Sequence, residues 1–305
     1  SNSYALGSEV TQTGKAMLLG NPHYPWRGPR RFYQVHMTIP GEMNVMGITI
    51  LGSSLINVGF TEKLAWTHTV SNANRFTLYE LDLSDQDRDV YFFDRKRFRI
   101  RSVPVTVEVK EDNGTLTKET IRLNFSRYGL LLDAGILLGD STLEGWPNKD
   151  GKVFAIRDVA MENTRVGDTL VGMLTATNFD NFLDAIRDNL GLSFINTIAV
   201  NSDGEAFYGD YSTIPYLTDE QLLNCQPSET GQALNQSSID ILRNPIGIPV
   251  LAGNRSECDW IVDPASPQEG LIPGEKLASI RTNQYASNSN DSYWLANLDN
   301  PLTGY

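Results

Sequence analysis

A chain of 305 residues with 25 Lys and Arg against 37 Asp and Glu carries a formal charge of −12 and a sequence pI near 4.7. Phosphate-binding surfaces gain affinity by gathering cations, so this acidic balance argues against a nucleic-acid partner. Hydrophobic residues at 40% and charged residues at 20% exclude intrinsic disorder, and the lack of any run of about 18 apolar residues argues against a membrane-spanning helix.

Runs rich in Ile, Val, Thr, Phe, Tyr and Trp at 16–20, 31–39, 45–51, 55–60, 64–70 and 75–83, separated by Gly, Pro, Asn and Ser, predict strands. Between 103 and 125, Val103, Val105, Val107 and Val109 alternate ahead of the turn Asp112-Asn113-Gly114 and a return through Ile121 and Leu123, which predicts a hairpin. A short helix is expected over 168–175. A stronger one covers 178–190, where Phe179, Phe182, Leu183, Ile186 and Leu190 repeat at helical spacing between a capping Asn178 and Gly191. A second hairpin joins 194–200 to 205–211 around Asn201-Ser202-Asp203-Gly204. From 215 to 289 the chain is rich in Pro, Ser, Gln, Asn and Gly, yet Leu222, Leu223, Ile239, Ile241, Leu242, Ile248, Val250 and Trp260 supply buried-type side chains. This stretch is expected as a loop-rich excursion within a single domain spanning 1–305, not as a linker.

No GxSxG elbow, HExxH, GxxxxGK[ST] loop or GxGxxG is present. His36 and His68 fall in strand-like runs and read as hydrogen-bonded structural imidazoles. Asp85, Asp87 and Asp89 have the opening spacing of a calcium loop, but Val90 and Lys96 stand where that loop needs Gly and Glu, so the cluster reads as a solvated turn. Cys225 and Cys258 are 33 positions apart, too far for a CxxC pair; two reduced thiols and one loop-closing disulfide fit equally well. Ser1 is a candidate nucleophile, because a terminal α-amine titrates near 8 and can act as base for its own residue's hydroxyl. Taken alone, a leading Ser is explained more readily by a removed initiator Met or an arbitrary fragment.

Other residues weigh on Ser1. Asn21-Pro22-His23-Tyr24-Pro25-Trp26, Arg31-Phe32-Tyr33-Gln34, Ile39-Pro40-Gly41, Asn57-Val58-Gly59-Phe60 and Ala65-Trp66-Thr67-His68-Thr69-Val70 occur in that order. Glu162-Asn163-Thr164-Arg165 and Asn288-Ser289-Asn290-Asp291-Ser292 follow. Together they resemble the nucleophile chain of the penicillin acylase family of N-terminal nucleophile hydrolases, and within it the acyl-homoserine lactone acylases and cyclic lipopeptide acylases. The resemblance implies an α+β fold, a four-layered αββα sandwich. It implies amide hydrolysis that releases a fatty acid from an N-acyl-homoserine lactone with the ring left intact, and with it a quorum-quenching role. A penicillin or cyclic lipopeptide acylase is the alternative, and a secreted β-rich binding module is the rival from another class.

By the same resemblance Ser1 attacks, His23 orients the amine, and the Val70 N–H with the Asn290 side-chain amide receives the oxyanion. The acyl pocket is implied at Tyr24, Ile50, Asn57, Leu170, Phe194 and Ile195. Phe194 stands where lactone acylases often carry Trp, and Ser53 where a larger apolar residue is common. Penicillin acylases hold calcium with carboxylates shortly after the oxyanion Val, but Ser71-Asn72-Ala73-Asn74-Arg75 offers none, so no metal and no cofactor are expected. Such enzymes are exported, which implies a periplasmic or secreted bacterial protein with a Cys225–Cys258 disulfide. They are made as precursors cut before the nucleophile, which implies a zymogen, a small partner chain from the same precursor, and helices continuing beyond Tyr305.

Overall fold

The computed structural model describes residues 1–132, 151–229, 231–232 and 248–304. In chain order the strands are β1 (Asn2–Leu6), β2 (Met17–Asn21), β3 (Phe32–Ile39), β4 (Met43–Ile50), β5 (Val58–Phe60), β6 (Leu64–Val70), β7 (Phe76–Asp82), β8 (Val90–Phe93), β9 (Lys96–Arg99), β10 (Arg101–Lys110), β11 (Leu116–Ser126), β12 (Gly129–Leu132) and β13 (Lys152–Asp158). Helices α1 (Val166–Thr175) and α2 (Phe179–Asn189) precede β14 (Ile195–Asn201) and β15 (Ala206–Gly209). Then come α3 (Asp219–Asn224), β16 (Val250–Ala252), β17 (Ser279–Thr282) and β18 (Tyr285–Asn288).

Contacts divide the chain into two compact units, one of Ser1–Arg75, Val159–Ile214 and Val262–Tyr305, the other of Phe76–Asp158 and Pro215–Ile261. The first unit holds a seven-stranded sheet, β17-β15-β14-β6-β5-β4-β3, and a three-stranded sheet, β18-β1-β2. Strand alternation sorts what covers each face. On β6, Trp66 points to the helices and meets Phe182 of α2 with ring centroids 5.4 Å apart. Thr67 and Thr69 point the other way, to the small sheet: a Cβ on Gly20 of β2 would stand 2.8 Å from Thr67 Oγ1, and Thr69 hydrogen-bonds Asn288 of β18. Only a glycine lets β2 approach so closely. Between the sheets Ala5, Leu18, Ile198, Val200, Tyr208 and Ala286 pack as one apolar cluster. Helix, sheet and sheet therefore form three of the four expected layers. No described residue adds a helix over the outer face of the small sheet, where Tyr4 and Leu19 lie opposite each other and exposed.

α2 forms as its spacing predicts. The Asn178 side chain caps it by accepting the Asn181 N–H, and Phe179, Phe182 and Ile186 are buried. Its end differs from expectation: Leu190, not Gly191, takes the left-handed turn, at φ 45°. The strand expected over 55–60 begins only at Val58, because Ile56 folds across the paired Gly47 and Gly59, where Cβ atoms would come within 2.7 and 2.8 Å of its side chain. β1 was not foreseen.

In the second unit the six-stranded sheet runs β10-β11-β12-β13-β7-β16, with β16 parallel to β7, and β8 pairs with β9. The predicted hairpin is β10–β11, in register from Arg101–Phe125 to Lys110–Leu116. Cys225 and Cys258 form a disulfide with Cα atoms 5.6 Å apart. Tyr79 stacks on Tyr128 at 3.8 Å, Arg127 lies 3.7 Å over Phe93 and pairs with Asp259 at 2.8 Å, and Arg157 lies 3.8 Å over Trp260. The stretch 215–289 contributes α3 and β16 to this unit and β17 and β18 to the other; Ile239, Ile241 and Leu242 lie outside the described residues.

Candidate active site

β1 is the central strand of the small sheet, with Ser3 opposite Gly20 on one side and Asn288 on the other. The same register carried two residues further sets Ser1 level with Asn290. Alternation puts Ser1 on the face of Ser3 and Ala5, which looks toward the larger sheet. Ser1 Oγ accepts the backbone N–H of His23 at 3.3 Å, and the His23 ring Nε2 lies 3.3 Å from the Asn21 amide nitrogen. Partial burial of the Ser1 α-amine disfavours its charged form and holds its pKa below the ordinary value.

Val70 owes its spare donor to unequal strand lengths. Ser71 donates to Phe194 of the β14 side, so the Val70 N–H, one residue earlier, points to the opposite edge. There β5 pairs only as far as Trp66, opposite Gly59. The N–H instead meets Asn290 Oδ1 at 2.9 Å. An N–H needs an acceptor, so the amide NH2 of Asn290 is the end left to face elsewhere. Asn290 sits at φ 67°, a left-handed conformation that Asn tolerates better than most residues. Rotation of its side chain would free the Val70 N–H and let both donors turn to one anion.

The expected pocket residues fall in three places. Tyr24 packs on Phe32 at 4.6 Å, Phe32 pairs with Ile50, and the Ile50 N–H donates to Asn57 Oδ1 at 3.3 Å, so Tyr24, Ile50 and Asn57 form one group. Asn57 is fixed further by Thr49 Oγ1 at 2.8 Å and by the Trp66 ring N–H on its carbonyl at 2.8 Å. Ile195 lies directly opposite Val70; Phe194 beside it is exposed, with the Arg75 guanidinium 5.5 Å from its ring. Leu170 is buried in α1, within the helix layer. Two cavities of about 390 and 510 Å³ belong to the second unit and are lined by charged groups such as Arg255 and Glu257, with none of these residues among them.

The other candidates are structural. His36 Nε2 pairs with Asn44 Oδ1 at 2.7 Å. His68 is buried, with Nδ1 at 3.2 Å from the Asn196 carbonyl, and burial pushes its pKa down to about 4. Asp87 holds the Asp89 N–H and Arg99 in an exposed turn. Among the described residues no group of three or more His, Cys, Asp and Glu could hold a metal ion. Sequence reasoning missed the buried amides Asn196 and Asn288; the available signal was an Asn amid the apolar run of β14.

The sequence pattern of the Penicillin amidase family matches residues 1–304. The chain belongs to the penicillin amidase family. Acyl-homoserine lactone acylase PvdQ of Pseudomonas fluorescens (strain Pf0-1) is 34% identical over 309 residues, covering 100% of this chain and 36% of that protein. Aculeacin-A acylase of Actinoplanes utahensis is 33% identical over 305 residues, again 100% of this chain and 36% of the relative. The chain thus spans about a third of the length of these relatives. Among solved structures, the thermostable penicillin G acylase of Alcaligenes faecalis superimposes with a TM-score of 0.69 at 16% identity, over 100% of this chain and 46% of that one. That likeness shows a shared fold. No described helix is long and apolar enough to cross a membrane.

Proposed function

We propose that this chain is the nucleophile-bearing part of an amide hydrolase that removes the acyl group from N-acyl-homoserine lactones, with quorum quenching as its role. The observation that carries the reading is the gathering of a terminal hydroxyl, a desolvated α-amine and the Val70–Asn290 pair at one end of two facing sheets. The α-amine takes the Ser1 hydroxyl proton as Oγ attacks the amide carbonyl. The carbonyl oxygen, now an anion, accepts from the Val70 N–H and the Asn290 amide, neutral donors that stabilise it without holding a charge beside the nucleophile at rest. The amine then gives the proton to the leaving nitrogen, and water hydrolyses the Ser1 ester by the same exchange. His23 orients the amine.

Tyr24, Ile50, Leu170, Phe194 and Ile195 supply an apolar lining for the acyl chain, with Asn57 as a polar fixture. Each buried methylene contributes roughly 0.8 kcal/mol, so modest changes in that lining shift chain-length preference several-fold per carbon. A penicillin or cyclic lipopeptide acylase is the second reading, with support from the nearly equal identity to aculeacin-A acylase. The fourth layer of the αββα sandwich would come from outside the described residues, and a precursor cut before Ser1 and a small partner chain from that precursor would contribute to it. The disulfide suits an oxidising compartment, the bacterial periplasm or exterior.

The test is to incubate the processed full-length protein with acyl-lactones, penicillins and lipopeptides and assay free amine. Amine release from acyl-lactones with the ring intact is expected; ring opening without amine release would overturn the reading. Acetylation of the Ser1 amine should stop turnover, whereas a binding module would be unaffected.

A further inference from the structure

Behind Val70 and Asn290 lies a buried amide network that no proposed step uses. Asn196 of β14, 0% exposed, stands opposite Thr69 of β6. Its Nδ2 donates to Thr69 Oγ1 at 3.0 Å and to the Val70 carbonyl at 3.1 Å, and lies 3.3 Å from Asn288 Oδ1. Its Oδ1 accepts the Tyr208 hydroxyl at 3.0 Å, which fixes the end of the amide that faces Val70. Asn288, 3% exposed at the end of β18, accepts at Oδ1 the Asn290 N–H at 2.9 Å and the Thr69 hydroxyl at 2.5 Å. Its Nδ2 donates to the Asp291 carbonyl at 2.9 Å.

We propose that Asn196 and Asn288, joined through the Thr69 hydroxyl, are positioning residues that hold the backbones of Val70 and Asn290 in a fixed mutual geometry, from which the Val70 N–H and the Asn290 side chain reach one anion. Val70 and Asn290 are 220 residues apart in sequence, one at the end of β6 in the large sheet and the other two residues past β18 of the small one, so no local turn sets their spacing. Asn196 grips Val70 by its carbonyl, and Asn288 grips Asn290 by its N–H. Thr69 accepts from one amide and donates to the other, which makes the two grips a single unit. A left-handed Asn290 needs such over-determination, since an isolated residue would relax away from that conformation. A buried network with its amide ends satisfied is also stiff, because any rotation strands a donor or acceptor. Its members are uncharged, so they place the donors without moving the pKa of the nearby amine by Coulomb forces.

This inference rests on Ser1 as nucleophile and Val70 with Asn290 as the oxyanion donors. The experiment uses the processed full-length protein and its Asn196→Ala, Asn288→Ala, Thr69→Val, Thr69→Ser and Ser1→Ala variants. A sulfonyl fluoride that labels Ser1 counts active sites by mass spectrometry, and kcat and KM for an acyl-lactone are expressed per labelled site. Loss of either amide should lower kcat about tenfold or more with KM changed by less than about twofold, since misplaced donors weaken transition-state binding and leave ground-state binding alone. Thr69→Val should lose about fivefold and Thr69→Ser should regain it. Unchanged kcat per labelled site, with losses confined to the amount of labelled protein, would overturn the proposal. Thr69→Val is close to isosteric and keeps the test decisive if an alanine variant fails to fold. Ser1-dependent hydrolysis with these variants unaffected sinks this inference alone; hydrolysis that survives in Ser1→Ala sinks the functional reading and this inference with it.

Discussion

In the first unit the side chains that bond directly to Val70 and Asn290 from beneath are the neutral Asn196 and Asn288, linked by Thr69 and backed by Tyr208 and a neutral His68, while a buried carboxylate, Asp210, is taken up by the Ser71 and Ser212 hydroxyls. In the second, ion pairs do the holding: Glu80 is buried against Lys152 and Ser228, and the half-buried Arg127 pairs with Asp259 beneath aromatic rings. Charged pairs resist separation when buried, since removing one partner leaves the other stranded. They suit a region that only has to hold together. A site that relies on a partly neutral amine needs its geometry fixed without added field, and amides and hydroxyls do that. Desolvation alone lowers the Ser1 amine.

Variants can break this contrast. Ser1→Ala should abolish hydrolysis and leave the melting temperature in place; turnover in a correctly processed sample would remove Ser1 from the chemistry. Asn290→Ala should cost on the order of 100-fold in kcat, measured per folded protein. The second unit should answer the other way: Cys225→Ser with Cys258→Ser removes a loop of 33 residues' separation and should cost about 4 kcal/mol in denaturant unfolding while kcat per site holds. A large drop in kcat per site there would end the division of labour.

Two pH experiments sharpen the comparison. His68 stays neutral in the fold down to about 4, whereas a free imidazole protonates near 6.5. Between those values the unfolded chain binds more protons, so stability falls as pH drops from 6.5 toward 4, by up to about 3 kcal/mol. His68→Gln should flatten that slope in acid-unfolding curves. The Ser1 amine must be neutral to act, and its pKa is lowered. The acid limb of kcat/KM should therefore have its midpoint below about 8, and a midpoint above it would contradict a desolvated base.

What could be read in advance depended on how local the cause was. α2 is legible because its spacing and its Asn178 cap lie within a dozen residues. β1 was not, since Asn2-Ser3-Tyr4-Ala5-Leu6 has no alternation; it is a strand because β18 and β2 flank it. The disulfide followed from the family resemblance and not from spacing. Nothing in the residues around Asn290 marks it as a donor; its role comes from the family resemblance alone. Asn196 and Asn288 stayed hidden because their meaning lies in a meeting with Thr69 across 127 and 219 positions.

Gly20 shows how little material separates a working arrangement from a displaced one. A single methyl group there would collide with Thr67 Oγ1, 2.8 Å away, and β2 would have to rise off the sheet below it. Two stretches hang on that height: strand β1, which pairs with β2 and begins next to Ser1, and the segment just past Asn21 that brings the His23 N–H to within 3.3 Å of Ser1 Oγ. The smallest residue in the small sheet thus acts as its spacer, and Gly20→Ala is the substitution in which one added carbon atom would be felt at the nucleophile without touching it.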